Sequence, residues 1–163
     1  MAREQPKTTW RQWLLVPLLI PVLVVAGGIA LLCLPFYLLY RASLRVLVQV
    51  LWVARGKRIL LIYSHSPVWQ SYVEANWLPR LAGQAIVLNW SDRSTWTRTR
   101  PFAAVVFRHW APATNYNPMA LLFGPFLRTR RIGFYEAFRD WKHGNEAKLR
   151  AAEAELLEFV ARG

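Results

Sequence analysis

Two short polar clusters in this chain combine the residue types that bind or transfer charged groups. Ser64-His65-Ser66 follows one apolar run, and Ser91-Asp92-Arg93-Ser94 follows another. Imidazole, hydroxyl and carboxylate are the parts of nucleophilic catalysis. Hydroxyls and an arginine beside a helix N-terminus are the parts of a phosphate site. Arg108-His109 ends a third apolar run and joins the group if that run is a parallel strand.

Several chemistries are disfavoured by what surrounds these clusters. No G-x-G-x-x-G or Walker loop follows the first run, and G-x-S-x-G is absent, which argues against a dinucleotide site and a Ser66–His–Asp92 triad. Ser66-Pro67-Val68-Trp69 stands where a thioredoxin-like order would need C-x-x-C, so dithiol chemistry is excluded. The single cysteine, Cys33, lies in an apolar stretch, and His65, His109 and His143 are not at ligand spacing. Neither a metal site nor a cofactor is expected. Anion binding survives, with Ser64, His65, Ser66, Ser91, Asp92, Arg93, Arg108 and His109 as the candidate residues.

These clusters need a scaffold, and the periodicity supplies one. Ile59–Tyr63 is a short continuous apolar run, as in a strand covered on both faces. Ser66 suits an N-cap and Pro67 the first helical position. Val68, Trp69, Tyr72, Val73, Trp77, Leu78 and Leu81 then form a helical stripe, punctuated by Pro79 and Gly83. A second strand over 85–90 completes a β-α-β unit, whose connection requires parallel pairing. In an open parallel sheet, ligands bind where the carboxyl ends of strands converge, which brings the two clusters together.

The rest of the chain reads as a strand over 102–107, a loop over 109–127 and an edge strand over 129–134 carrying Arg130 and Arg131. Two helices follow, over 135–143 and 145–161. The expected fold is a small Rossmann-like three-layer α/β domain over 55–163 with a mainly parallel sheet of three or four strands.

A membrane segment precedes it. Residues 1–11 form a basic tail, and no charged residue appears between Arg11 and Arg41. That run exceeds the roughly 20 helical residues needed to cross a bilayer. It is also longer than the apolar core of a cleaved signal peptide. Residues 12–40 are therefore expected to span the membrane or re-enter it, with bends possible at Pro17, Pro21, Pro35 and Gly27-Gly28. Residues 41–54 read as an interfacial helix with Arg41 and Arg45 on one face, the alternative being a helix packed on the sheet. Arg41, Arg45, Trp52, Arg55, Lys57 and Arg58 are the expected membrane-surface residues. Five basic residues follow the apolar run against three before it, which favours a cytoplasmic C-terminal domain.

The 163 residues carry a formal net charge of +12. Eleven Lys and Arg lie between 55 and 131 against Glu74 and Asp92 alone, while 132–163 is near neutral. On a bilayer-tethered chain the abundant polyanion is lipid, so anionic lipid is favoured over nucleic acid as partner. The expected function is that of a membrane-anchored accessory protein docking a membrane-protein partner or anionic lipid. The alternative is a membrane enzyme or binding protein for a phosphorylated small molecule, lipid-linked or nucleotide. It would be glycosyltransferase-like by fold analogy only.

Overall fold

A computed structural model describes residues 11–99, 101–114, 117–125 and 128–162, without the side chains of 11–19 and Thr97. The basic tail before residue 11, the side chain of Trp13 and Arg100 lie outside it. The chain divides into two compact units, residues 1–43 and 44–163.

The described residues of the first unit, from Arg11 on, are helical. They supply most of α1, Arg11–Leu51, one 41-residue helix that continues through Pro17, Pro21, Gly27-Gly28 and Pro35. A re-entrant turn at the glycines is thereby overturned. Over Ile20–Arg55 an 18-residue window reaches a mean hydropathy of 2.5 with none of it buried, so this helix is long and apolar enough to cross a membrane. Leu31, Leu32 and Phe36 are each more than 70% exposed. Near its end Arg41 sits 5.6 Å over the ring of Tyr37.

The second unit is built on a four-stranded mixed sheet of order β2-β1-β3-β4: β1 Ile59–Tyr63, β2 Ala85–Asn89, β3 Met119–Phe123 and β4 Thr129–Gly133. β1 pairs in parallel with β2, in register Ile59 to Ala85 through Tyr63 to Asn89. β3 runs antiparallel to both β1 and β4. The expected β-α-β unit is present, but the sheet is not mainly parallel.

Two corrections account for that. Phe102–Trp110 is a helix and not a strand. A short apolar run such as Phe102-Ala-Ala-Val-Val-Phe fits either state, and Pro101, extended at φ −60° and ψ 143°, starts a helix that two alanines favour. Met119-Ala-Leu-Leu-Phe123, expected inside a loop, is a central strand with every residue buried. Its neighbours Pro118 and Gly124 bound the strand and are not signs of irregular chain.

Alternation along the strands divides the core in two. Ile59, Leu61 and Tyr63 face one layer with Ala120, Leu122 and Ile132; Leu60 and Ile62 face the other with Leu88, Met119, Leu121 and Phe123. The first layer is covered by α2 (Gln70–Tyr72) and its continuation as a π-helical turn, Val73–Trp77, together with α5 (Tyr135–Lys142) and α6 (Ala147–Ala161). The expected long helix over 68–81 is thus short and irregular. The second layer is covered by α3 (Arg93–Thr99), α4 (Phe102–Trp110) and the last turns of α1. Leu44, Val48 and Trp52 are buried there, and Trp52 meets Phe102 and Phe123 edge-on at 5.1 and 5.8 Å. Trp52 is therefore a core residue and not a membrane-surface contact. The unit begins at Leu44, upstream of the expected boundary at Arg55.

Candidate functional site

β1 and β2 end side by side, so the residues after Tyr63 and Asn89 share one edge of the sheet. Asn89 organises them. Its Oδ1 accepts the Ser91 backbone N–H at 2.9 Å, which fixes the amide orientation and turns Nδ2 to His65 Nε2 at 2.6 Å. Because Nδ2 can only donate, His65 Nε2 is the acceptor and the ring proton belongs on Nδ1. The His65 backbone N–H in turn donates to Ser91 Oγ at 3.0 Å. The loop after β1 is thereby tied to the loop after β2 by one bond between side chains and one from backbone to side chain.

The expected anion residues divide around this knot. His65 and Ser91 are in it. Asp92 and Arg93 follow on the surface, with the Arg93 guanidinium 5.4 Å over the Trp90 ring and the Asp92 carbonyl accepting from Thr95 Oγ1. Ser66 caps the turn after β1: its Oγ accepts from Val68 N–H at 3.3 Å and its carbonyl from Gln70 N–H at 3.0 Å. The regular helix beyond spans only Gln70–Tyr72, and a three-residue helix carries little macrodipole. Arg108 and His109 belong to the last turn of α4, where His109 packs edge-on against Trp110 at 4.6 Å. Their inclusion required a parallel strand over 102–107, and that strand does not exist.

The chemistry available at this edge is limited. His65 is oriented by an amide and not by a carboxylate, so it lacks the charged partner that a general base in a triad uses. Among the described residues no three His, Cys, Asp or Glu side chains are grouped to hold a metal ion. Beside Ser66 a cavity of 210 Å³ is lined by Trp69, Tyr135, Arg139 and Lys142. Arg139 already pairs with Glu136 and Asp140, which leaves Lys142 as its second cation.

One polar residue escaped the sequence reading. Glu153 on α6 is 7% exposed and is the buried charged residue of the described chain. Its Oε1 accepts from Trp77 Nε1 at 2.5 Å and from Tyr72 Oη at 2.9 Å, with Arg150 at 3.6 Å from Oε2. Rings of Phe134, Phe138 and Trp141 pack around Tyr72 and Trp77. Burial and the Glu153 carboxylate both raise the Tyr72 pKa above the ordinary tyrosine value. Burial followed by Glu74, which accepts from the Tyr63 hydroxyl, does the same for Tyr63. The signal in the sequence was register: Leu149, Glu153 and Leu156 fall at i, i+4 and i+7, on one face of the helix.

No family model matches the chain, and neither a curated protein nor a solved structure matches it.

Proposed function

We propose that this chain is a membrane-anchored accessory protein whose basic α/β domain docks a partner protein or anionic lipid at the membrane surface. The carrying observation is the exposed apolar helix: from Ile20 to Tyr40 its large hydrophobic side chains face outward, an arrangement that water penalises and a bilayer accepts. Arg41 and Arg45 end that run, and Arg55, Lys57 and Arg58 follow, suited to lipid phosphates. Val46, Leu47 and Val50 remain exposed on the turns whose other side covers the sheet, which supports an interfacial position for that face. The knot of His65, Asn89 and Ser91 supports a non-catalytic reading, because His65 Nε2, both Asn89 amide groups and the Ser91 oxygen already hold two loops together.

The test is membrane extraction with protease protection. The full chain should stay in the pellet at alkaline pH, and a C-terminal tag should be cleaved only from the cytoplasmic side. A protein released by carbonate sinks the anchor, and a tag cut only from outside sinks the orientation.

A second reading is favoured by one observation, the convergence of His65, Asn89 and Ser91 at the carboxyl ends of the parallel pair. In it the edge and the Lys142 cavity hold a phosphorylated ligand. Alanine at His65, Asp92 and Arg93 together should then abolish complementation of a deletion strain, and full complementation rules it out.

A further inference from the structure

At the opposite edge of the sheet, away from His65, four arginines line one cavity of 490 Å³. They come from three places in the chain: Arg58 just before β1, Arg128 and Arg130 at the β3–β4 hairpin, and Arg162 at the end of α6. Leu122 and Phe159 form its apolar wall. The hairpin is closed by the Gly124 N–H donating to the Arg128 carbonyl at 2.8 Å, so Arg128 is held at the rim by backbone as well as by sequence.

The charges do not cancel. Arg130 pairs with Glu155 and Arg162 with Glu158, both on α6. Among the described residues, four guanidinium groups against two carboxylates leave two positive charges. Those two are Arg58 and Arg128, neither of which has a carboxylate partner among the described residues. Arg58 lies 4.8 Å over the face of Phe159. A guanidinium stacked in this way keeps its in-plane N–H groups available for a bidentate acceptor. Gathering uncompensated cations at a concave, partly apolar surface costs repulsion, which a bound anion relieves.

We propose that this cavity binds a dianionic phosphomonoester carried on an apolar body, with Arg58 and Arg128 on the phosphate and Phe159 and Leu122 against the body. Two charges match the two unpaired guanidinium groups, and the volume falls within the roughly 300–1,000 Å³ of small-molecule sites. The same chemistry is presented by a free aryl or alkyl phosphate and by a phospholipid with a terminal phosphate. The site is separate from the carboxyl-edge loops; it shares Arg58 with the basic rim proposed above and otherwise does not depend on that docking function.

The experiment uses the full chain in neutral detergent and in nanodiscs. Calorimetric titration with phenyl phosphate should show saturable binding, with phenyl sulfate, a monoanion on the same body, about 10-fold weaker or more. Arg128→Gln, on the exposed hairpin, and Arg58→Gln should each weaken phenyl phosphate by about 10-fold. In nanodiscs, binding should prefer phosphatidic acid over phosphatidylglycerol at equal charge density, and Arg128→Gln should erase that preference. Binding confined to phenyl phosphate identifies a free ligand, and a preference confined to phosphatidic acid identifies a lipid. Equal binding of phosphate and sulfate together with no lipid preference overturns the proposal. So does a preference that survives in both arginine variants. Arg41→Gln/Arg45→Gln should lower attachment to any anionic nanodisc while leaving the phosphate-over-sulfate ratio unchanged, so failure of the basic-rim reading is scored separately.

Discussion

The indole N–H of Trp77 donates to the carboxylate of Glu153 in the middle of an aromatic layer, and the two residues come from helices 76 positions apart in the chain. This bond joins the β1–β2 crossover to α6. It replaces water for a charge that the fold has buried, and the Tyr72 hydroxyl supplies a second donor to the same oxygen.

Glu153→Ala removes the acceptor and strands one buried donor, the Trp77 indole, and one half-buried donor, the Tyr72 hydroxyl. It should cost about 3 kcal/mol, more than the carboxylate's own packing accounts for. Glu153→Gln, which keeps the shape and one acceptor, should cost about half of that. Equilibrium denaturation in detergent measures both, and a Gln variant as stable as the parent would mean that the charge plays no part.

Alkaline pH should attack the same layer. Tyr63 and Tyr72 both have folded-state pKa values raised above 10.0. A raised value means that the folded state holds its proton longer than the unfolded chain. The associated stability is intact below about pH 10 and drains away as pH climbs through the folded values. Absorbance at 295 nm should show a late tyrosinate phase that Tyr63→Phe/Tyr72→Phe removes, and an unchanged titration in that variant contradicts the assignment.

On the acid side, Lys148 beside Asp140 holds its carboxyl below the usual 3.8, with Arg139 adding to the effect. A depressed value works in the opposite sense. Its stabilisation is present above the unfolded carboxylate range and is lost as pH falls through the folded value. Asp140→Asn should flatten the acid limb of the stability–pH curve below about pH 4. A limb of undiminished slope would assign it to other carboxylates.

The helical cover from α1 should be as sensitive as any core position. Leu44→Ala or Val48→Ala should each cost about 2–4 kcal/mol, and Trp52→Ala about 3–5. Val46→Ala and Val50→Ala, exposed on the same turns, should change stability in detergent by less than about 0.5 kcal/mol. Thermal melts followed by near-ultraviolet circular dichroism compare the two sets, and equal effects would mean that these turns are not docked on the sheet.

Asn89 offers a test of the loop knot. Asn89→Asp keeps the acceptor for Ser91 N–H but replaces the donor to His65 with a carboxylate. The His65 ring should then hold a proton on Nε2, a tautomer change readable from imidazole ¹⁵N shifts. An unaltered ¹⁵N pattern would detach the imidazole from Asn89.

Much of this fold is legible in the sequence wherever two signals agree. Ile59–Tyr63 and 85–90 read as strands because each apolar run is short and bounded by turn residues, and the connection between them admits only a parallel pair; the second ends one residue earlier, at Asn89. The segment 129–134 reads as an edge strand because arginines there leave few side chains for a core, and the strand observed is Thr129–Gly133. Agreement fails at 102–110, where composition supports strand and helix equally and the choice falls to a proline and two alanines. It fails again at 119–123, where five apolar residues are hidden among prolines and asparagines whose punctuation suggests a loop. The site follows the same division. His65 and Ser91 come together because their strands were readable, whereas Arg108 and His109 were carried in by the misread helix. The arginine cavity could not be foreseen, because its walls converge only once β3 takes its place between β1 and β4. Glu153 was visible in register but masked by its type, since a lone carboxylate on a helix usually faces water.

Leu44 and Val48 belong to the same helix as the exposed apolar run and Trp52 follows it directly, yet all three close one face of the sheet. Cutting the chain between Trp52 and Arg58 would therefore not release a soluble domain. It would uncover Leu60, Ile62, Leu121 and Phe123 together, leaving a fragment prone to aggregate. Expression of residues 58–163 alone should therefore give insoluble protein, whereas a fragment that starts at residue 44 keeps its own cover.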